Sequence, residues 1–273
     1  MSAVPEIRNL RFALDAAIPR HWHGGRRSVT TFFDNLSVFF PAGERFFVAT
    51  VHAYDGRIKG PNLKAAMRAF CGQEGIHSRE HVRYTEMLAA KGYPVAEMEE
   101  RVKGRLRRAS RLLPKRRQLA ITCALEHFTA LLGELVLKNP GILEGADPTM
   151  AALWRWHSAE ENEHKAVAFD LFTAVGGTYE ERVGIMALVT VIFWAKVLEH
   201  QVRMMDVDGT LWSPQEWAAL AGFMFVKPGG MGGVMRQYFE YFRRDFHPND
   251  IDSNPLVIAW EKAYGTESRV ASA

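Results

Sequence analysis

Residues 157–164 read His157-Ser158-Ala159-Glu160-Glu161-Asn162-Glu163-His164. On an ideal helix Glu161 lies at about +40° and His164 at about −20° from His157, so all three share one stripe over two turns. Flanking residues support a helix: Asp147 is an N-cap type with Pro148 at N1, and Val175 precedes Gly176-Gly177. The expected helix therefore runs from 148 to 175. Upstream, Glu74-Gly75-Ile76-His77 repeats the Glu-x-x-His spacing of Glu161 and His164. Residues i and i+3 are about 60° apart on a helix, so each pair can point into one space.

One such pair is common by chance; two, each preceded by a glutamate in an apolar run, are not. Glu44 precedes Glu74 by 30 residues and sits in Phe39-Phe40-Pro41-Ala42-Gly43-Glu44-Arg45-Phe46-Phe47. Glu126 precedes Glu161 by 35 residues and sits in the mostly apolar stretch from Leu119 to Leu132. These separations suit two antiparallel helix hairpins. A carboxylate buried there without a cation costs several kcal/mol or takes up a proton, and metal binding offsets that cost. The alternative is ion pairing with Arg45, Arg79 or one another.

The expected fold is all-α: a ferritin-like four-helix bundle, with one inward Glu from each of two helices and a Glu-x-x-His pair from each of the others. The candidate metal ligands are Glu44, Glu74, His77, Glu126, His157, Glu161 and His164. His157 is either a third imidazole ligand or a core histidine beside Trp154 or Trp156. Glu134 is the alternative to Glu126, which is preferred because its separation echoes the first hairpin. His81 and His127 fit a supporting or surface role. Gln73 and Glu160, each preceding a ligating Glu, can reach an imidazole N–H on a neighbouring helix and orient it. Four carboxylates balance two divalent ions, and the mixed oxygen and nitrogen set suits two iron ions, or manganese, better than zinc.

The 273 residues are 48% hydrophobic and 24% charged, ordinary for a globular chain able to bury a real core. One domain is expected: an irregular arm at about 1–35, the bundle at about 36–176 and accessory helices at about 177–260. Pro41 is expected to open the first bundle helix, ending near Tyr54. The second runs from Gly60-Pro61-Asn62 to Ala90, and the third from Pro114 to Lys138. Further helices are expected at 179–206, 214–225 and 231–245, then a loop-like tail.

Between Arg101 and Arg117 stand nine Lys or Arg and no acid. That block reads as a solvated loop and helix start, or as a surface for a membrane, a nucleic acid or an acidic partner. No aromatic residues interleave it, so nucleic acid is not expected. The uncharged run Gly184–Ala195 is short for a bilayer span and reads as a buried core helix, or as one lying on a membrane. Two cysteines, Cys71 and Cys123, and no secretory signal suggest the cytoplasm, with peripheral membrane association as an option.

The constellation resembles the ferritin-like di-iron carboxylate superfamily, which includes ribonucleotide reductase small subunits and multicomponent monooxygenases. With His157 the ligand set is similar to that of the arylamine N-oxygenases. Leu36-Ser37 with Phe40-Pro41-Ala42-Gly43-Glu44, then Gly72-Gln73-Glu74 with His77 and His81, and finally Phe246-His247-Pro248, resemble a bacterial family of predicted metal-dependent hydrolases over residues 20–260. The resemblance implies an oxygen-activating oxygenase or oxidase using dioxygen and a small organic substrate, with an electron-donor protein and a homodimer as candidate partners. A dinuclear metal-dependent hydrolase is the alternative. A non-enzymatic metal-storage or metal-sensing bundle is the second.

Overall fold

Pro41, expected to open the first bundle helix, lies inside it. In the computed structural model, which describes residues 4–270, α1 runs Arg27–His52. Its first half, from Ser28 to Val38, is buried on every side. Tertiary packing there overrides the modest helix propensity of Val29, Thr30 and Thr31, so the end of the expected irregular arm is helix instead. The N–H that Pro41 lacks costs one helix hydrogen bond, and its carbonyl accepts from Ser78 Oγ of the next helix at 3.3 Å.

Helix α2 (Pro61–Ala90) starts and stops where its Gly-Pro and Lys-Gly signals place it. The basic segment is not a loop. Helix α3 (Val95–Leu112) buries Val95, Met98 and Val102 and packs on α1. Its first turns hold acids that pair with part of the block: Glu97 with Arg101 at 2.7 Å and Glu99 with Lys103 at 2.7 Å, both i to i+4.

Helix α4 (Lys115–Lys138) pairs with α5 (Pro148–His164), whose N-cap Asp147 accepts from the N–H groups of Thr149 and Met150. The expected continuous helix to Val175 is broken at Lys165 and Ala166, and α6 (Val167–Ala174) follows. At the break the Lys165 ammonium leaves the bundle for the Ile251 carbonyl and, at 2.6 Å, Ser253 Oγ. Helices α7 (Tyr179–Val207), α8 (Pro214–Phe225) and α9 (Met231–Glu240) come next. The tail expected as loop contains α10 (Asn254–Val270), which packs on α5 through buried Trp260.

Among the described residues there is no strand, only an isolated bridge between His23 and Ala146. Helices α1 and α2 form one hairpin and α4 with α5 the other, and α4 touches α1 while α2 touches α5. One apolar layer, with Trp22, Phe33 and Trp154, closes one end of the bundle. Another, with Phe46, Phe70 and Leu171, closes the opposite end. Gly133 lets α4 and α5 meet closely: a Cβ there would stand 3.0 Å from the Ser158 carbonyl.

By length and composition alone, α4 and α7 could each cross a membrane. The apolar window of α4 is 67% buried and that of α7 only 22%. Helix α7 is therefore not the buried core helix expected for Gly184–Ala195: Leu188, Val191 and Ile192 face outward.

Candidate metal centre

The bundle brings all seven candidate ligands into its interior, none more than 3% exposed. Helix α1 supplies Glu44, α2 Glu74 and His77, α4 Glu126, and α5 His157, Glu161 and His164. His164 Nε2 lies 3.1 Å from Glu74 Oε1, 3.3 Å from Glu126 Oε2 and 3.4 Å from Glu161 Oε2. His157 Nε2 is 3.0 Å and His77 Nδ1 3.6 Å from Glu161 Oε1. Among the seven, three sets have donor atoms within 4.8 Å of one another: Glu44, Glu74 and His77; Glu74, Glu161 and His164; and His77, His157 and Glu161. Glu74, Glu161 and His77 each belong to two of these sets, and of the three only the two glutamates carry a pair of oxygens that could serve two sets at once.

Hydrogen bonds fix the imidazoles from behind. Glu160 Oε2 of α5 meets His77 Nε2 of α2 at 3.0 Å, and Gln73 Oε1 of α2 meets His164 Nδ1 of α5 at 2.9 Å. The residues before the two central glutamates thus reach across to the opposite helix, as their positions suggested. His157 Nδ1 meets His81 Nε2 at 2.8 Å, and His81 Nδ1 meets Ser37 Oγ at 2.8 Å. Each of the three histidines has one nitrogen engaged. The other (Nδ1 of His77, Nε2 of His157 and of His164) has no hydrogen-bond partner. Both carboxylate oxygens of Glu44, Glu74 and Glu126 are equally without partners, as is Glu161 Oε2.

Buried polar atoms are normally paired. Ten orphaned oxygens and nitrogens on these seven residues are a donor set of the kind that hard or borderline cations take. The electrostatics agree. Burial drives Glu44 and Glu74 well above the usual carboxylate range. Burial, opposed by His164 and helped by Glu161, lifts Glu126 to about 7. Burial works against charge on His77, but its hydrogen bond to Glu160 and the nearby Glu161 carboxylate raise it to about 10. His164 is likewise raised well above its ordinary value, with Glu126 and Glu161 outweighing burial. Burial also opposes the charge of Glu161, yet His164, His157 and His77 hold it well below the usual range. The upward shifts all favour proton uptake on His77, His164 and the carboxylates other than Glu161, which offsets the negative charge that burial leaves uncompensated.

The other candidates fall outside the cluster, with one exception. Glu134 accepts from Gln237 Nε2 at 2.9 and 3.0 Å, and His127 packs against Tyr241 and Phe246. His81 lies closer than expected: it is fully buried, and its donor atoms group with those of Glu44 and His157. Two residues outside the expected set, Arg8 and Glu163, support the centre. Arg8 forks onto Glu163 at 2.6 and 2.8 Å, and Glu163 accepts from Gln73 Nε2 at 2.9 Å. Their only sequence signal was an arginine in an arm of no evident structure.

On the far side of His157 lies an apolar cavity of about 250 Å³, somewhat below the usual size of small-molecule sites. His157 and Ser158 form part of its wall.

No curated protein and no solved structure matches the chain in comparison. The family model described as "predicted metal-dependent hydrolase" matches residues 6–252, which takes in Arg8 and every residue of the centre, and the chain belongs to that family.

Proposed function

We propose that the seven residues hold two metal ions and that the protein is a metal-dependent hydrolase acting on an apolar substrate lodged beside His157. The observation that carries this is the set of three imidazoles, each tied at one nitrogen and bare at the other, facing four carboxylates with unpaired oxygens. One Glu per first helix and a Glu-x-x-His pair per second helix is also the plan of the ferritin-like carboxylate proteins.

Bound metals would supply Lewis acidity for polarising a substrate carbonyl or phosphoryl group and for activating water. The chain's own residues prepare for this. Glu160 and Gln73 set the ring orientation and tautomer of His77 and His164. Ser37 and His81 do the same for His157. The apolar layers above and below the site keep bulk water out, which strengthens every charge interaction inside it.

Dioxygen activation is the second reading, favoured by the donor set itself. Four carboxylates and three imidazoles suit redox-active iron or manganese, and hydrolysis does not require so many ligands. One experiment separates the two: load the protein with zinc and, separately, with ferrous iron. Equal turnover of ester or phosphoester substrates by both forms supports hydrolysis. Oxygen consumption confined to the iron form, with an inert zinc form, overturns it.

A further inference from the structure

Eight of the residues lining the cavity are phenylalanines, and among the described residues no carboxylate lines it. Two charged groups do: Arg105 of α3 and Lys196 of α7. Their side chains are 33% and 31% exposed, against 4% for His157. The cavity therefore has a cationic, solvent-reached part of its lining, from α3 and α7, and a dry part at His157.

The cationic part is not neutralised by its neighbours. Four cations surround Glu199: Lys196 at 2.6 Å, Arg101 at 3.3 Å, Arg203 at 3.6 Å and Arg105 at 3.7 Å. Glu97 also pairs with Arg101 and Arg203. Two acids face four bases, and Arg105, which lines the cavity, has the longest of the contacts to Glu199. Positive charge is left over in the lining of an otherwise uncharged, aromatic-lined space.

We propose that the cavity binds an amphiphile, an apolar chain or ring system bearing an anionic head group. The head is held by Arg105 and Lys196, and the apolar body runs inward to His157. Combined with the metal-site reading, on which this orientation rests for its meaning, the reacting group lies at the end of the substrate remote from its negative charge. A negative charge placed midway along the cavity, among the phenylalanines, would have no compensating group in the lining.

The test is calorimetric binding of decanoate, decanol and decylammonium to the metal-loaded full-length protein. Decanoate should bind about tenfold tighter than decanol, the order of effect of one well-placed ion pair, and decylammonium weakest. The double substitution R105Q/K196Q, at two partly exposed positions, should weaken decanoate about tenfold and leave decanol within about twofold. Equal affinity for all three probes, absence of decanoate binding, or indifference of decanoate to the double substitution overturns the proposal. Because binding is read without turnover, decanoate selectivity in a protein inert towards esters and dioxygen supports this assignment while overturning the catalytic one.

Discussion

The α1–α2 and α4–α5 hairpins look like two copies of one device, yet they are not equal. Each supplies one lone glutamate and one Glu-x-x-His pair. The second also supplies His157, whereas the first supplies His81, which holds His157 from behind. The imidazole from α2 faces the centre through Nδ1 and is backed by a carboxylate, Glu160. The imidazole from α5 faces it through Nε2 and is backed by a neutral amide, Gln73. A carboxylate behind an imidazole makes it a stronger base and a stronger ligand than an amide does. The two metal positions proposed here would therefore differ in ligand strength, although their sequence motifs match.

The largest expected effect would come from removing what the hairpins share. Glu161→Ala and Glu74→Ala should each abolish binding of both ions, because each glutamate is shared by two donor sets and has two oxygens to offer them. Elemental analysis after gel filtration measures this, and two tightly held ions in both variants would refute the assignment. Making the hairpins alike is the next test. Glu160→Gln gives both imidazoles an amide partner and should weaken metal binding about 10- to 100-fold, as loss of such supporting contacts does. Competition with a chelator reads the change. An effect no larger than that of a distant surface substitution would mean that the carboxylate is not the source of the asymmetry.

His157→Ala removes the feature unique to the second hairpin. The bundle should stay folded and keep about two ions, with an altered visible spectrum for the iron form. An unchanged spectrum would return His157 to the ordinary core. The smallest effect concerns a buried carboxylate that needs no metal. Asp34 Oδ1 accepts from Trp22 Nε1 at 2.8 Å and Tyr84 Oη at 2.7 Å, while burial raises its pKa to about 7. Its folded value exceeds its unfolded one. Its contribution to stability is thus fully present below about pH 4 and lost as pH rises through about 7, at no more than about 1.4 kcal/mol per pH unit. Asp34→Asn should flatten denaturation midpoints across that window whether or not metal is bound. A slope identical to that of the parent protein would contradict the shift.

Local signals made much of the bundle legible before any coordinates. Helix α2 is bounded by Gly60-Pro61 and Lys91-Gly92, and α5 opens at Asp147-Pro148, so both starts could be read from capping chemistry. The convergence of the seven residues was also readable, because i to i+3 spacing fixes a face and hairpin length fixes a height. What escaped depends on tertiary packing. The first half of α1 is helical because it is enclosed, not because its residues prefer a helix. Helix α3 was hidden by starting the basic block at Arg101, which left out Glu97 and Glu99. The break after His164 answers to Ile251 and Ser253, nearly ninety residues away. The exposure of α7 could not be read from hydrophobicity, since α4 passes the same test and is mostly buried.

The crossed contacts of Gln73 and Glu160 also bear on how the centre could be assembled. Each hairpin carries the orienting group for the other's imidazole and none for its own. Neither hairpin expressed alone would present a correctly aimed His77 or His164, so the centre cannot be built as two independent half-sites joined later. A fragment-complementation experiment would then yield metal binding only on reassociation, with the two ions taken up in a single cooperative step. The cross-wiring makes the proposed dinuclear site an indivisible unit, and recombination that exchanged one hairpin with a relative would have to exchange its partner's supporting residue as well.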